Sequence, residues 1–497
     1  MTAERPYDQL LAHLREASLL ASTSALLAWD QETFMPAGAG ERRAEQMALL
    51  ARLSHERGTD PRIAEWIAAS DGTDDEAERA CLREWQRDHH RATRLPSTLV
   101  AELASTESRA QQAWAEARAA SDFAGFRPWL ERIVALQRQK ADCLQRDGQT
   151  RWDALADLYE PGMRAADLRA LFGPLRERLV ALRQRLDAGT APDVTFRDRR
   201  IDQARQEAFV RAVVTRMGFD FERGRIDRST HPFCIGTGGD VRLTTRFHDD
   251  NVLDALGSTM HEGGHGLYEQ GLLREPYGTP LAEAASLGIH ESQSRLWENH
   301  VGRSEAFWRW CWPVAQQHLG DACDGQTRDS VYRLSNLVAP SLIRVEADEA
   351  TYDLHVMVRF ELETDLIDGA IEVADVPARW NQLYADYLGV DVPDDARGCL
   401  QDVHWSCGLF GYFPTYTLGN LYAAQFAAAA ASALGDLDAL LGRGEFTPLC
   451  EWLHEHVHRH GRRYSPAELC ERATGRPLSS EPFLAYLEQK LTDAYRL

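Results

Sequence analysis

Residues 251–271 read NVLDALGSTMHEGGHGLYEQG. Val252, Leu253, Leu256 and Met260 recur at the spacing of one helix face, so the segment predicts a helix. Asp249, Asp250 or Asn251 would be its N-cap, and Gly266 and Gly271 are candidate breakers. His261 and His265 then lie one turn apart on one side. Two neutral imidazoles so placed hold one zinc ion, and Glu262 on the adjoining flank reaches a water on that metal, the apparatus of a zinc peptidase. Gly263 and Gly264 should each cost the helix roughly 0.5–1 kcal/mol relative to alanine, a cost retained where another group must approach closely. The alternative is a solvent-facing helix with incidental histidines.

Just upstream, HPFCIGTGGDVRLTTRF from His231 breaks the helical pattern. It is glycine-rich and then places Val241, Leu243, Thr245 and Phe247 on one side, which predicts a strand preceded by a turn. Its free edge would suit pairing with an extended peptide; a small structural hairpin is the plainer reading. Downstream, LAEAASLGIHESQSRLWENH from Leu281 has to supply the third ligand. It offers Glu283, His290, Glu291, Glu298 and His300, and spacing leaves Glu291 and His290 open.

An oxyanion donor is also required. His404 and the tyrosines of GYFPTYTLGN, Tyr412 and Tyr416, have the chemistry, although each, taken singly, is more often a packed core aromatic or a satisfied histidine. Arg344, in SLIRVEADEATYDLH, is either internally paired with Glu346, Asp348 or another acid, or a fork for a substrate carboxylate. In HEHVHRH, His454 with His458 or His456 with His460 has metal-binding spacing, but no glycine or strand frames the pair, and a solvated helix face explains it more simply.

From Tyr7 to about Leu186 almost every segment is an amphipathic helix, with breaks at MPAGAG, near Pro96, at Pro161-Gly162 and around Pro192. At 497 residues the chain is long enough for a sizeable core. We read it as one peptidase domain with three parts: residues 1–230 as a helical groove wall, 231–305 as the strand and zinc core, and 306–497 as the substrate-binding half. A net charge of −21 argues against nucleic acid and anionic membrane as partners. Nine scattered cysteines without a CxxC pair fit reduced thiols in a cytoplasmic protein. Glu4, Asp8 and Arg15 interrupt any leader-like apolar run, and the alanine-rich stretch from Leu421 contains Gln425, Gly435, Asp436 and Asp438, so it reads as a packed helix rather than a membrane span.

Several ordered blocks resemble one family, the thermostable (Taq) carboxypeptidases, which are HExxH zinc metallocarboxypeptidases. They are LLAWDQETFMPAGAGERRAEQ from Leu26, HPF and DVRLTTR at His231 and Asp240, HEGGH at His261, HESQS at His290, IRVEAD at Ile343, GCLQDVHW at Gly398 and GYFPTYTLGN at Gly411. The resemblance implies His261, His265 and Glu291 as ligands of one zinc ion, with cobalt able to substitute, and Glu262 as general base and acid. It makes Arg344 the anchor of the substrate's C-terminal carboxylate, and Tyr416 and His404 the transition-state donors. It also implies a mainly α, helical peptidase body with a deep groove and a short sheet beside the zinc helix, assembled as a homodimer. The activity implied is removal of single residues from peptides with free C-termini, with broad preference. An oligopeptidase or dipeptidyl carboxypeptidase is the alternative within zinc peptidases, and a non-enzymatic peptide-binding scaffold the alternative outside them.

Overall fold

Among the described residues, eight α-helices and one short 3-10 turn lie between Pro6 and Leu186, and helices continue to Tyr495, so the architecture is mainly α. The computed structural model describes residues 5–237, 239–275 and 277–497. Glu4 and Gly238, used in the sequence reading, lie outside them. The chain divides into two compact units, each assembled from three stretches: residues 1–93, 193–335 and 422–478 in the first, and 94–192, 336–421 and 479–497 in the second.

The first unit contains the sheet. β1 (Gly224–Arg228), β2 (Cys234–Thr237) and β3 (Asp240–Thr245) lie in the order β1-β3-β2. β3 runs parallel to β1, with Gly224 opposite Val241, and antiparallel to β2, with Cys234 opposite Leu243. The expected strand is therefore present, but both its edges are paired, and a peptide cannot add to β3 itself. Phe247 falls beyond its end. Val241, Leu243 and Thr245 are buried. The Thr245 hydroxyl meets Ser258 at 3.0 Å and receives a hydrogen bond from Thr259 at 3.1 Å, which ties β3 to the following helix.

That helix runs Val252–Gly271, capped by Asn251, whose side chain accepts from the Asp254 N–H. Gly266 does not break it. The helix passes through this residue, where a Cβ would meet the Phe219 ring at 2.7 Å and Leu243 at 2.8 Å, so the small residue serves packing on the sheet side. The alanine-rich stretch forms the helix Pro414–Leu434. Its N-terminal part is packed, with Leu418, Leu421, Ala423 and Phe426 fully buried, while Ala428, Ser432 and Ala433 further along are exposed. No described helix is long and apolar enough to cross a membrane.

Candidate metal centre

The helix Leu287–Arg295 crosses the HEGGH helix at Gly264, where a Cβ would run into the Gln293 carbonyl and lie 2.7 Å from the Ser294 Cα. This is the close approach that the glycine pair foreshadows. It brings Glu291 to the two histidines: its Oε2 is 3.8 Å from His261 Nε2 and 3.6 Å from His265 Nε2. Among the described residues, His261, His265 and Glu291 form the one group whose ligand atoms all lie within 4.8 Å of one another. Bonds of about 2.0–2.1 Å at tetrahedral angles put neighbouring ligand atoms roughly 3.3–3.4 Å apart, so the two Glu291–histidine pairs, at 3.8 and 3.6 Å, need only close slightly around one ion. Two imidazoles and a carboxylate also form the donor set of a catalytic site with a position left open. The residues fit the metal.

Each histidine keeps Nε2 for this cluster because its Nδ1 is occupied elsewhere. His261 Nδ1 is 2.9 Å from Glu298 Oε2, and His265 Nδ1 is 2.5 Å from His290 Nδ1. Glu298 stands on a π-helical turn, Leu296–Val301, that prolongs the helix bearing Glu291. Arg295 lies between the two acids, donating from Nε to Glu291 at 2.7 Å and from a terminal nitrogen to Glu298 at 3.3 Å, and Arg303 reaches Glu298 at 2.9 Å. Against the cost of burial, Arg295, His261 and Arg303 hold the Glu298 carboxyl well below the usual carboxylate range. Burial pulls His261 down, but Glu291 and Glu298 outweigh it and its basicity is raised. Burial together with His290 and His261 leaves His265 far below its ordinary value.

Glu262 is 6 % exposed, and burial pushes its carboxyl up to about 7, with Glu291 adding to the rise and His261 opposing it. In that range a carboxyl both takes and returns a proton near neutral pH. A cation held by its neighbours would pull the value back down.

In the second unit, Arg344 is 4 % exposed and is internally paired, with an acid 58 residues away rather than with Glu346 or Asp348. Its Nε and one terminal nitrogen donate to Asp402 at 3.1 and 2.9 Å, and the other donates to the Tyr352 hydroxyl at 2.9 Å. Asp402 is shared with the fully buried Arg359, whose Nε donates to it at 2.7 Å. Two guanidiniums thus sit on one carboxylate. Beside them, His404 Nε2 lies 3.3 Å from the Tyr416 hydroxyl, while its Nδ1, 3.9 Å from Asp402, has no hydrogen-bond partner among the described residues. Burial, then Arg344, pulls His404 down to about 4, so it is neutral at pH 7. Tyr412 packs edge-on to Tyr416 at 5.5 Å, and all three rings remain part-exposed.

Other candidates sort differently. His290 stands behind His265, and Glu283 pairs with Arg462 at 2.7 Å. His300, on the π-helical turn, is not part of the ligand group. The histidine-rich segment is not simply a solvated face: the helix ends at His456, and His458 is buried, with its Nε2 2.9 Å from Gln293 Oε1. Burial drives it down to about 3, so it is a neutral packing histidine. Arg295, Asp402, Tyr352 and Arg359 were not singled out from sequence. Only the (i, i+4) spacing of Glu291 and Arg295 offered a signal.

The chain is similar to known proteins of one family along nearly its whole length. The family model described as carboxypeptidase Taq (M32) metallopeptidase matches residues 9–491. Thermostable carboxypeptidase 1 of Thermus thermophilus is 47% identical, with the alignment covering all of both chains. Carboxypeptidase 1 of Bacillus subtilis is 37% identical, covering all of this chain and 99% of its own. The crystal structure of an M32 carboxypeptidase from Deinococcus radiodurans matches with a TM-score of 0.97 at 42% identity, over 99% of this chain and 100% of that one. With a two-histidine, one-glutamate cluster in a helical body and a family match along nearly its whole length, the chain belongs to the carboxypeptidase Taq (M32) family of metallopeptidases.

Proposed function

We propose that this metallocarboxypeptidase is a zinc enzyme that removes single residues from peptides bearing a free C-terminal carboxylate, with His261, His265 and Glu291 as the metal ligands. The observation that carries this reading is the convergence of those three donors next to a buried Glu262. When bound there, zinc supplies a Lewis acid that acidifies water and polarises a peptide carbonyl. Glu262 takes the proton from the attacking water and hands it to the leaving amine. Tyr416 and His404 donate hydrogen bonds to the oxyanion; a neutral His404 serves this role only through a protonated ring nitrogen.

Arg344 anchors the substrate carboxylate. Its cluster supports the role, because Arg344 and Arg359 share Asp402 and leave a buried site with two cations to one anion, suited to a further carboxylate. Membership in a peptidase family removes the scaffold alternative. Against the oligopeptidase alternative, the test is cleavage of paired peptides with free and amidated C-termini. Single-residue release from the free form alone supports the proposal, and internal or dipeptide cuts from either form refute it. Cobalt is proposed as a substitute ion, since ligand type alone does not select the metal. We also propose a cytoplasmic homodimer; nine unpaired cysteines are consistent with a reducing compartment.

A further inference from the structure

The two metal-binding histidines are backed differently. His261 donates directly to a carboxylate, Glu298. Behind His265 stands a second imidazole, and behind that a carboxylate: His290 Nε2 is 2.9 Å from Glu269 Oε1. Proton counting fixes the directions of this chain. A His265 that gives Nε2 to a metal carries its proton on Nδ1 and donates it to His290 Nδ1. His290 must accept there, so its own proton is on Nε2, where Glu269 receives it. The opposite His290 tautomer would set two N–H groups against each other across 2.5 Å. The Glu269 carboxylate is the group that selects the productive one.

The fold makes room for that carboxylate. Glu269 lies one turn beyond His265 on the same helix, and opposite it β2 carries Gly236, where any Cβ would overlap the Glu269 carboxylate. A glycine inside a strand weakens it and marks a close approach, and here the approaching group is Glu269. The His290 ring is braced by the fully buried Tyr268, centroids 5.3 Å apart.

The geometry points to Glu269 as a positioning residue for the metal: through His290 it holds the tautomer and orientation of His265, and Gly236 keeps the space that lets it do so. This inference rests on the reading of His261, His265 and Glu291 as the ligands. Outer partners of this kind alter metal affinity by about 10–100-fold.

The test is zinc affinity of the full chain, measured by competition with a chromogenic chelator, with the melting temperature of the metal-free protein followed in parallel. Glu269→Ala removes the acceptor and should weaken zinc binding by about tenfold or more. Glu269→Gln keeps an acceptor oxygen without the charge and should fall between it and the parent. Gly236→Ala leaves the glutamate in place but displaces its carboxylate, and should weaken binding as Glu269→Ala does. In the zinc-loaded protein, nitrogen-15 spectra of the histidine rings should show the His290 Nε2–H tautomer in the parent and its loss in Glu269→Ala. Parent-like zinc affinity in both alanine variants overturns the role of Glu269 while leaving the ligand assignment intact. A parent chain that binds no stoichiometric zinc overturns both.

Discussion

Gly264 and Gln293 meet backbone to backbone, and that contact brings the acid helix onto the histidine helix. Gly264→Ala would force the helices apart, at about 1–3 kcal/mol for overpacking, and draw Glu291 away from His261 and His265. Its neighbour is the control. The nearest neighbours of a Cβ at Gly263 are the end of Met217, at 3.2 Å, and Val214, at 3.5 Å, so Gly263→Ala should be nearly neutral, with better helix propensity offsetting a small repacking. Thermal melts and zinc titrations of the two variants should therefore diverge; equal behaviour contradicts the packing account.

Asp402 accepts from Arg344 and Arg359 in a site that water barely reaches. Asp402→Asn leaves two buried guanidiniums without their carboxylate and should destabilise the protein by about 3–5 kcal/mol. Denaturant unfolding measures this, and a loss below about 1 kcal/mol would mean that solvent or another acid already compensates the arginines.

Arg344→Lys retains the charge but not the fork that reaches Asp402 and Tyr352 together. We expect kcat/KM on free-C-terminal peptides to fall by the equivalent of about 2–5 kcal/mol, with zinc content unchanged. Kinetics with short peptides check this, and parent-like kcat/KM would remove Arg344 as the anchor.

The fully buried Glu363 predicts a pH effect on stability. It accepts from the Gly411 N–H and the Trp405 indole at 2.9 Å and from Trp152 at 3.5 Å, yet burial outweighs these donors and pushes its carboxyl from 4.5 up to about 7. The folded state therefore binds this proton more tightly than the unfolded chain. Its contribution to stability is complete below pH 4.5 and is lost as pH rises through 7, at about 1.4 kcal/mol per pH unit over the steep part. Glu363→Gln resembles the protonated form, so the stability of the parent relative to this variant should fall between pH 4.5 and 7 and level off above. Parallel curves across that range contradict the prediction.

The HEGGH helix was legible because its signals are local: apolar spacing, an asparagine cap and two histidines one turn apart. Glu291 was not separable from His290 by spacing, since adjacent residues on a helix differ only in which way the crossing partner lies. The family resemblance selected Glu291, and the crossing at Gly264 brings it within reach of both histidines. β1 escaped notice because GRIDR offers one apolar residue and no alternation, and its pairing with β3 is non-local. Asp402 was invisible as the partner of Arg344 for the same reason, and the acids closer in sequence drew attention instead. His458 was misread because burial by Gly271 and Gln293 depends on segments far away in the chain.

In the proposed function, Glu262 acts beside a metal held by His261, His265 and Glu291 to release residues from free C-termini. The most direct measurement is mass spectrometry of a peptide pool with free and amidated ends, incubated with the zinc-loaded chain and with its Glu262→Gln variant. We expect ladders losing one C-terminal residue at a time from the free peptides alone, with the variant keeping its zinc and losing turnover because an amide cannot act as base. Parent-like ladders from Glu262→Gln, or cleavage of the amidated peptides, would contradict it.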